Sequence, residues 1–281
     1  IYRDHADWPV VRKRAEIIAR TLEQSKPVVL PEERLVGAIY RRRKVHAGVS
    51  ESDAWRIQVF FPERWGYRDS RSIPEEVKAT LRWWADHSVS AHEHNEVRAQ
   101  HRWLNRYGIA GPHGMVHGHT LPDHGILLDH GIGGLRRRIQ DHLEGAVDAG
   151  KRAQWLAMDR CLEGLCNHCL LCADAAREAA ETVDDPYLHD RLVEAADNCE
   201  VLATDAPRTF VQALQMLHFS NFADMMDCPG DAASFGRIDQ LLWPFYTTDL
   251  AEGRITEAEA FDLVAHFLIK HWTNQDSNNM T

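Results

Sequence analysis

Ala206-Pro207-Arg208-Thr209-Phe210-Val211-Gln212-Ala213-Leu214-Gln215-Met216-Leu217-His218-Phe219 opens the stretch, running to Trp272, whose reading decides the fold. Asp205 is placed to cap a helix, and Pro207 suits its first turn, where a missing N–H costs nothing. Phe210, Ala213, Leu214, Leu217 and Phe222 recur at helical spacing, which predicts one buried face. Cys228-Pro229-Gly230-Asp231-Ala232-Ala233-Ser234-Phe235-Gly236 follows as a polar loop with breakers at both ends. Arg237 to Tyr246 reads as a second helix that ends near Asp249 to Thr256. Thr256 and Glu259 form a capping box, and Phe261, Val264, Ala265 and Leu268 are expected on the buried side of the last helix.

Working outward, Trp8 to Glu23 is expected as an amphipathic helix with Val11, Ala15, Ile18, Ala19 and Leu22 inward. Leu35 to Tyr40 is an apolar run of strand type, and Arg56 to Phe61 alternates like a strand or extended segment. Pro74 opens a helix with Val77, Leu81 and Trp84 on its apolar face. Tyr107 to Thr120, rich in Gly and His, reads as loop. Helices are expected from Pro122 to Leu135, from Lys151 to Glu181 and from Leu188 to Leu202, the last after the turn Asp184-Asp185-Pro186. There is no internal repeat, low-complexity tract or linker in the pattern.

Composition narrows the function classes. A chain of 281 residues with 44% hydrophobic content has enough apolar surface for a full core. A net charge of −10 argues against nucleic acid and anionic membrane as partners. Arg41-Arg42-Arg43-Lys44 and Arg136-Arg137-Arg138 run against that balance and are read as solvated or carboxylate-pairing faces. No apolar run nears the roughly 20 residues of a membrane span. Ile1 to His5 has no signal-peptide pattern, and a first residue other than Met is expected of a processed or partial chain. Six cysteines without framework spacing suggest free thiols in a reducing, cytoplasmic setting.

Two groups of potential metal ligands need weighing. Cys161, Cys166, Cys169 and Cys172, with His168 among them, have spacing similar to a ferredoxin-like cluster. The same segment sets Trp155, Met158, Leu162, Leu165, Cys169, Cys172 and Ala176 at alternating 3/4 spacing, the mark of a continuous buried stripe. A straight helix separates Cys161 from Cys172 by about 16 Å, too far for one ion. The second group is His113, His117, His119, His124 and His130, after His92, His94 and His101. Without a spaced carboxylate these read as surface groups or hydrogen-bond donors to a small molecule. No metal is expected, and a His/Cys metal-binding helical protein stands as an alternative.

The runs PRTFVQALQMLHF, SFGRIDQLLWPFY and DLAEGRITEAEAFDLVAHFLIK resemble the pyruvate formate-lyase-like glycyl radical enzymes, among them dehydratases, lyases and decarboxylases. ERLVG (Glu33 to Gly37) and GHTLPDHGILLDHGIGGL (Gly118 to Leu135) match upstream, in the family's order. The resemblance implies a mainly α chain with a minor β component: the N-terminal helical part and first half of a ten-stranded α/β barrel, with residues 1–281 as one portion of that domain. It also implies a glycyl radical installed by a radical-S-adenosylmethionine activating enzyme, and a cysteine that takes hydrogen from a small polar substrate in a closed cavity. Anaerobic radical chemistry of this kind needs a dry, shielded chamber.

Neither a Gly-Cys-Val-Glu-Pro loop nor an Arg-Val-Ser/Ala-Gly-Tyr loop occurs in the sequence, so no catalytic residue is assigned in this chain and no cofactor is expected to be bound to it. Cys199-Glu200 imitates a Cys-Glu pair but falls inside an expected helix. By resemblance, the substrate-binding candidates are His119, Asp231, Ala232 and Ser234. His119 matches a position where the family's dehydratases place a His near a substrate hydroxyl. Asp231 and Ala232 stand where such dehydratases use His and Ser. The plainer alternatives are a loop hydrogen bond for His119 and a turn residue for Asp231. Arg237 and Asp239 are read as a structural ion pair at a helix start. The expected partners are a small-molecule substrate, the activating enzyme, a second copy in a homodimer and a companion chain carrying the C-terminal half. The alternative from another class is a non-catalytic homologue or subunit that binds a metabolite or partner.

Overall fold

A computed structural model of the chain describes residues 1, 4–37, 79, 83, 121–145, 148–227 and 234–275. The chain divides into two compact units, residues 1–40 with 117–281, and residues 41–116. Of the second unit only Ala79 and Trp83 are described, and both are helical, as the helix expected after Pro74 requires.

The first unit is helical: α1 (Val10–Glu23), α2 (His124–Glu144), α3 (Ala149–Ala180), α4 (Pro186–Thr204), α5 (Phe210–Asp227), α6 (Ile238–Ala251) and α7 (Glu257–Gln275). Helix α5 is the hub and touches each of the other described helices. Ala213, Leu214, Met216, Leu217 and Phe219 on it are fully buried, and so are most of its polar residues. A helix surrounded by protein has no solvated face, so the polar side chains of α5 are buried with the apolar ones and take most of their partners from within the fold.

Helices α1 and α3 cross so closely that a Cβ on Gly164 would lie 2.5 Å from the Ala19 Cα. Arg160 on α3 clasps the same crossing, its guanidinium donating to Glu16 at 2.9 Å and to both Glu23 oxygens at 2.5 and 2.9 Å. That pairing holds the Glu16 and Glu23 carboxyls below the usual range. Asp148 caps α3 by accepting from Lys151 N, and Asp185 caps α4 by accepting from Tyr187 N.

Helix α2 is broken at Gly131 (φ 63°, ψ 173°), where the chain presses against the α4–α5 turn.

Several expectations shift. Asp205 does not cap α5; it ends α4, its N–H donating to Val201 O at 2.8 Å. Helix α5 starts three residues beyond Pro207. Thr209 sits at its start, accepting from Ala213 N, while the Gln212 side chain accepts from Arg208 N. Leu35 to Gly37 is not a strand: Leu35 is a bend, Gly37 has φ 104°, and the Gln215 side-chain amide pairs the Val36 backbone where a strand would need a neighbouring strand. It accepts from Val36 N at 2.9 Å and donates to Val36 O at 2.8 Å. Among the described residues the only β feature is a single bridge at Val28. The segments 38–40, 56–61 and 107–120 lie outside the described residues.

The capping box forms as read: Thr256 N and Oγ1 both donate to Glu259, and Glu259 N donates back to Thr256 Oγ1. The buried side of α7, however, is Ala260, Leu263, Phe267 and Lys270. Phe261 is 78% exposed and Leu268 54% exposed, with Val264 and Ala265 half-buried. The buried stripe is displaced by about one residue from the expected one, and both stripes are apolar at helical spacing; the buried one also carries Lys270, paired with Glu33. The α3 stripe is likewise buried only from Leu165 onward; Met158 is exposed, and Trp155 and Leu162 are half-buried. These last three residues line an apolar groove of about 750 Å³ between α1, α2 and α3.

Candidate functional site

Polar groups concentrate around the C-terminal half of α5, next to Ser234 and Phe235. His124 is the first residue of α2 and is 2% exposed. Its Nδ1 lies 2.8 Å from Ser220 Oγ on α5, and its Nε2 lies 3.2 Å from the Ser234 carbonyl. A carbonyl only accepts, so Nε2 carries the proton and donates. Burial lowers the His124 pKa, partly offset by the Ser234 bond and by Asp224 and Asp123. The ring is therefore neutral near pH 7, and Nδ1 accepts from the Ser220 hydroxyl. Phe235, next to Ser234, packs between His124 at 5.5 Å, Phe267 at 5.0 Å and His271 at 4.6 Å. Asn221, one residue after Ser220, is 3% exposed, and its Nδ2 finds no hydrogen-bond partner among the described residues.

A second layer lies behind this one. His218 Nε2 donates to the Gly37 carbonyl at 3.3 Å, and burial drives its pKa down to about 3, with the Lys270 charge adding to the effect. His168 stacks on Phe222 at 4.7 Å. Ser25 Oγ donates to Leu22 O at 2.7 Å and accepts from His168 Nδ1 at 2.7 Å, leaving Nε2 to accept from the Cys172 thiol at 3.5 Å. Burial holds His168 at about 4 and raises the Cys172 thiol, so both are neutral. Lys270 Nζ lies 2.8 Å from Glu33 Oε1, joining α7 to the Glu33–Gly37 segment. Burial lowers the lysine and raises the glutamate.

Of the residues read as substrate-binding, Ser234 is described; His119, Asp231 and Ala232 lie outside the described residues, as do Arg43 and Lys44. The Ser234 side chain is exposed, and its hydroxyl accepts from Gly236 N at 3.1 Å. Arg237 and Asp239 form the expected ion pair at the start of α6, at 2.8 and 2.6 Å. Cys199 is buried within α4, and Glu200 points to Arg177 at 2.6 Å, so the Cys-Glu look-alike is two unrelated contacts. Among the described residues no group of three or more His, Cys, Asp or Glu is placed to hold a metal. The sequence reading missed the roles of His124, Ser220 and Lys270. A buried charge or a side-chain-to-carbonyl bond leaves no periodic trace.

The pyruvate formate lyase-like family model matches residues 1–278, and the chain belongs to that family. It is 26% identical over 284 residues to the protein named Probable dehydratase YbiW of Escherichia coli (strain K12), covering 92% of this chain and 34% of that protein. It is 27% identical to the (2S)-3-sulfopropanediol dehydratase of Klebsiella oxytoca, again covering 94% of this chain and 34% of the relative. The crystal structure of a glycyl radical enzyme from Archaeoglobus fulgidus superposes with a TM-score of 0.72 at 26% identity, over 98% of this chain and 37% of that one. Further relatives are isethionate sulfite-lyases and arylacetate decarboxylases. The chain spans about a third of the length of the curated relatives it matches first.

Proposed function

We propose that this chain forms the N-terminal third of a glycyl radical enzyme that cleaves a C–C or C–X bond of a small polar molecule, and that it shapes the substrate cavity. The observation that carries the reading is the family match over 1–278, joined to a glycyl radical enzyme fold over nearly the whole chain. When installed, by a radical-S-adenosylmethionine activating enzyme, the glycyl radical supplies hydrogen-atom abstraction through a cysteine; neither motif lies in these 281 residues. This chain's residues bind and orient. His119, Asp231, Ala232 and Ser234 are assigned to the substrate, and an aspartate there suits a hydroxyl-bearing or cationic molecule better than a carboxylate. The buried layer of α5 excludes water beside Ser234. The outer apolar face of α7, with Phe261 and Leu268, suits the remaining family-length polypeptide, including the other half of a ten-stranded barrel. A homodimer, a companion chain carrying the C-terminal half and a cytoplasmic setting complete the reading.

The test is anaerobic. Intact mass spectrometry of the native protein is expected to find a family-length chain or a second subunit. Activation with a radical-S-adenosylmethionine partner is then expected to give a carbon-centred EPR doublet and turnover of a hydroxylated substrate such as glycerol. Metabolite binding with no activation-dependent radical would instead identify a non-catalytic homologue.

A further inference from the structure

His124 joins three parts of the chain that sequence separates widely: the start of α2, the α5 hub and Ser234, four residues before α6. It is almost fully buried, and both ring nitrogens are engaged. Its neighbours explain its orientation. Ser220 comes from a buried helix and holds Nδ1; Nε2 then points at the Ser234 carbonyl; and the ring lies 5.5 Å from the Phe235 ring, tilted 36° to it. Phe235 is in turn held by Phe267 and His271 of α7.

We propose that His124 is a positioning residue, whose Nε2–H fixes the Ser234 carbonyl and with it the Ser234–Phe235 wall beside the substrate, while Ser220 sets the tautomer. The assignment of that wall to substrate rests on the function proposed above; the anchoring itself does not. A donor supported by a second hydrogen bond holds a wall within the few tenths of an ångström that substrate orientation demands. The Asn221 amide, next to Ser220 in sequence and without a partner among the described residues, offers a further N–H for an acceptor oxygen at the same end of α5.

The experiment uses the full chain with 15N-labelled histidine and 13C-carbonyl-labelled serine, and glycerol as the probe. His124 is expected to show the neutral Nε2–H tautomer at pH 7 to 8, with a coupling across the hydrogen bond to the Ser234 carbonyl carbon. A protonated Nδ1 with a bare Nε2, or no coupling, would overturn the proposal. Two variants separate positioning from packing. His124→Gln places its amide N–H near the Nε2 position, and His124→Asn reaches only the Nδ1 position. Glycerol affinity is expected to fall about tenfold in His124→Asn, the worth of roughly one hydrogen bond, and to recover most of the way in His124→Gln. Equal losses in both variants would overturn the positioning role. If the tautomer and coupling are present but the parent chain binds no glycerol, the anchoring stands and the substrate assignment of the wall fails instead.

Discussion

The carboxylate of Asp249, near the end of α6, accepts the backbone N–H of Phe210, the first residue of α5, at 2.7 Å across 39 residues of sequence. Its other oxygen accepts from Arg254 Nε at 2.8 Å and Nη2 at 2.7 Å. One 1%-exposed side chain thus satisfies an orphan donor of the hub helix and closes the α6–α7 turn. Asp249→Ala leaves the buried Phe210 N–H without its acceptor and strips Arg254 of one of its two carboxylate partners, Glu252 remaining. A loss of about 2–3 kcal/mol is expected, read as a lower urea midpoint with an unchanged slope. A shift below about 0.5 kcal/mol would mean the cap is not supporting α5.

Gly131→Ala is expected to be worse. Gly131 combines φ 63° with ψ 173°, a region open almost only to glycine, and an added Cβ would overlap the backbone of Asp205 and Ala206. Neither can yield without moving the α4–α5 turn. The expected cost exceeds about 3 kcal/mol, visible as loss of soluble protein or a large drop in thermal midpoint. An unchanged midpoint would show that the kink in α2 is not needed.

The two buried imidazoles predict an acid-sensitive core. His168 and His218 titrate at about 4 and about 3 in the folded chain, against the ordinary value of 6.5. Between 6.5 and 4 the unfolded chain binds protons that the folded chain refuses. Stability is therefore lost as pH falls through this window, at about 1 kcal/mol per pH unit for each histidine. His168→Phe, which keeps the stacking on Phe222, is expected to flatten the pH profile of the urea midpoint between pH 6 and 4. A profile of unchanged slope would mean that His168 is protonated in the fold.

Burial also governs the thiols. Cys169, Cys172 and Cys199 are fully buried, and desolvation pushes each thiol upward. Iodoacetamide at pH 8, with the modified sites mapped by mass spectrometry, is expected to label these three at least about 100-fold more slowly in the folded chain than in urea. Rapid labelling of Cys172 would show that the His168–Cys172–Ser25 relay is open to solvent.

Local pattern carried much of this structure. The Thr256–Glu259 box, the α3 and α4 spans, the buried face of α5 and the Arg237–Asp239 pair were all legible, because each rests on residues within a few positions of one another. The ordered run of motifs from Pro207 to Lys270 sufficed to place the chain in its family. What required the folded chain was which apolar face turns inward and which polar groups meet. Phe261 and Leu268 face out because Ala260, Leu263 and Phe267, with Lys270 opposite Glu33, occupy the inner side of α7. Cys172, His168 and Ser25, or His124, Ser220 and Ser234, come together only when helices distant in sequence pack on α5. Periodicity records the direction a side chain takes from its own helix. The partner that satisfies a buried polar atom is chosen by contacts across the chain, and only tertiary structure contains them.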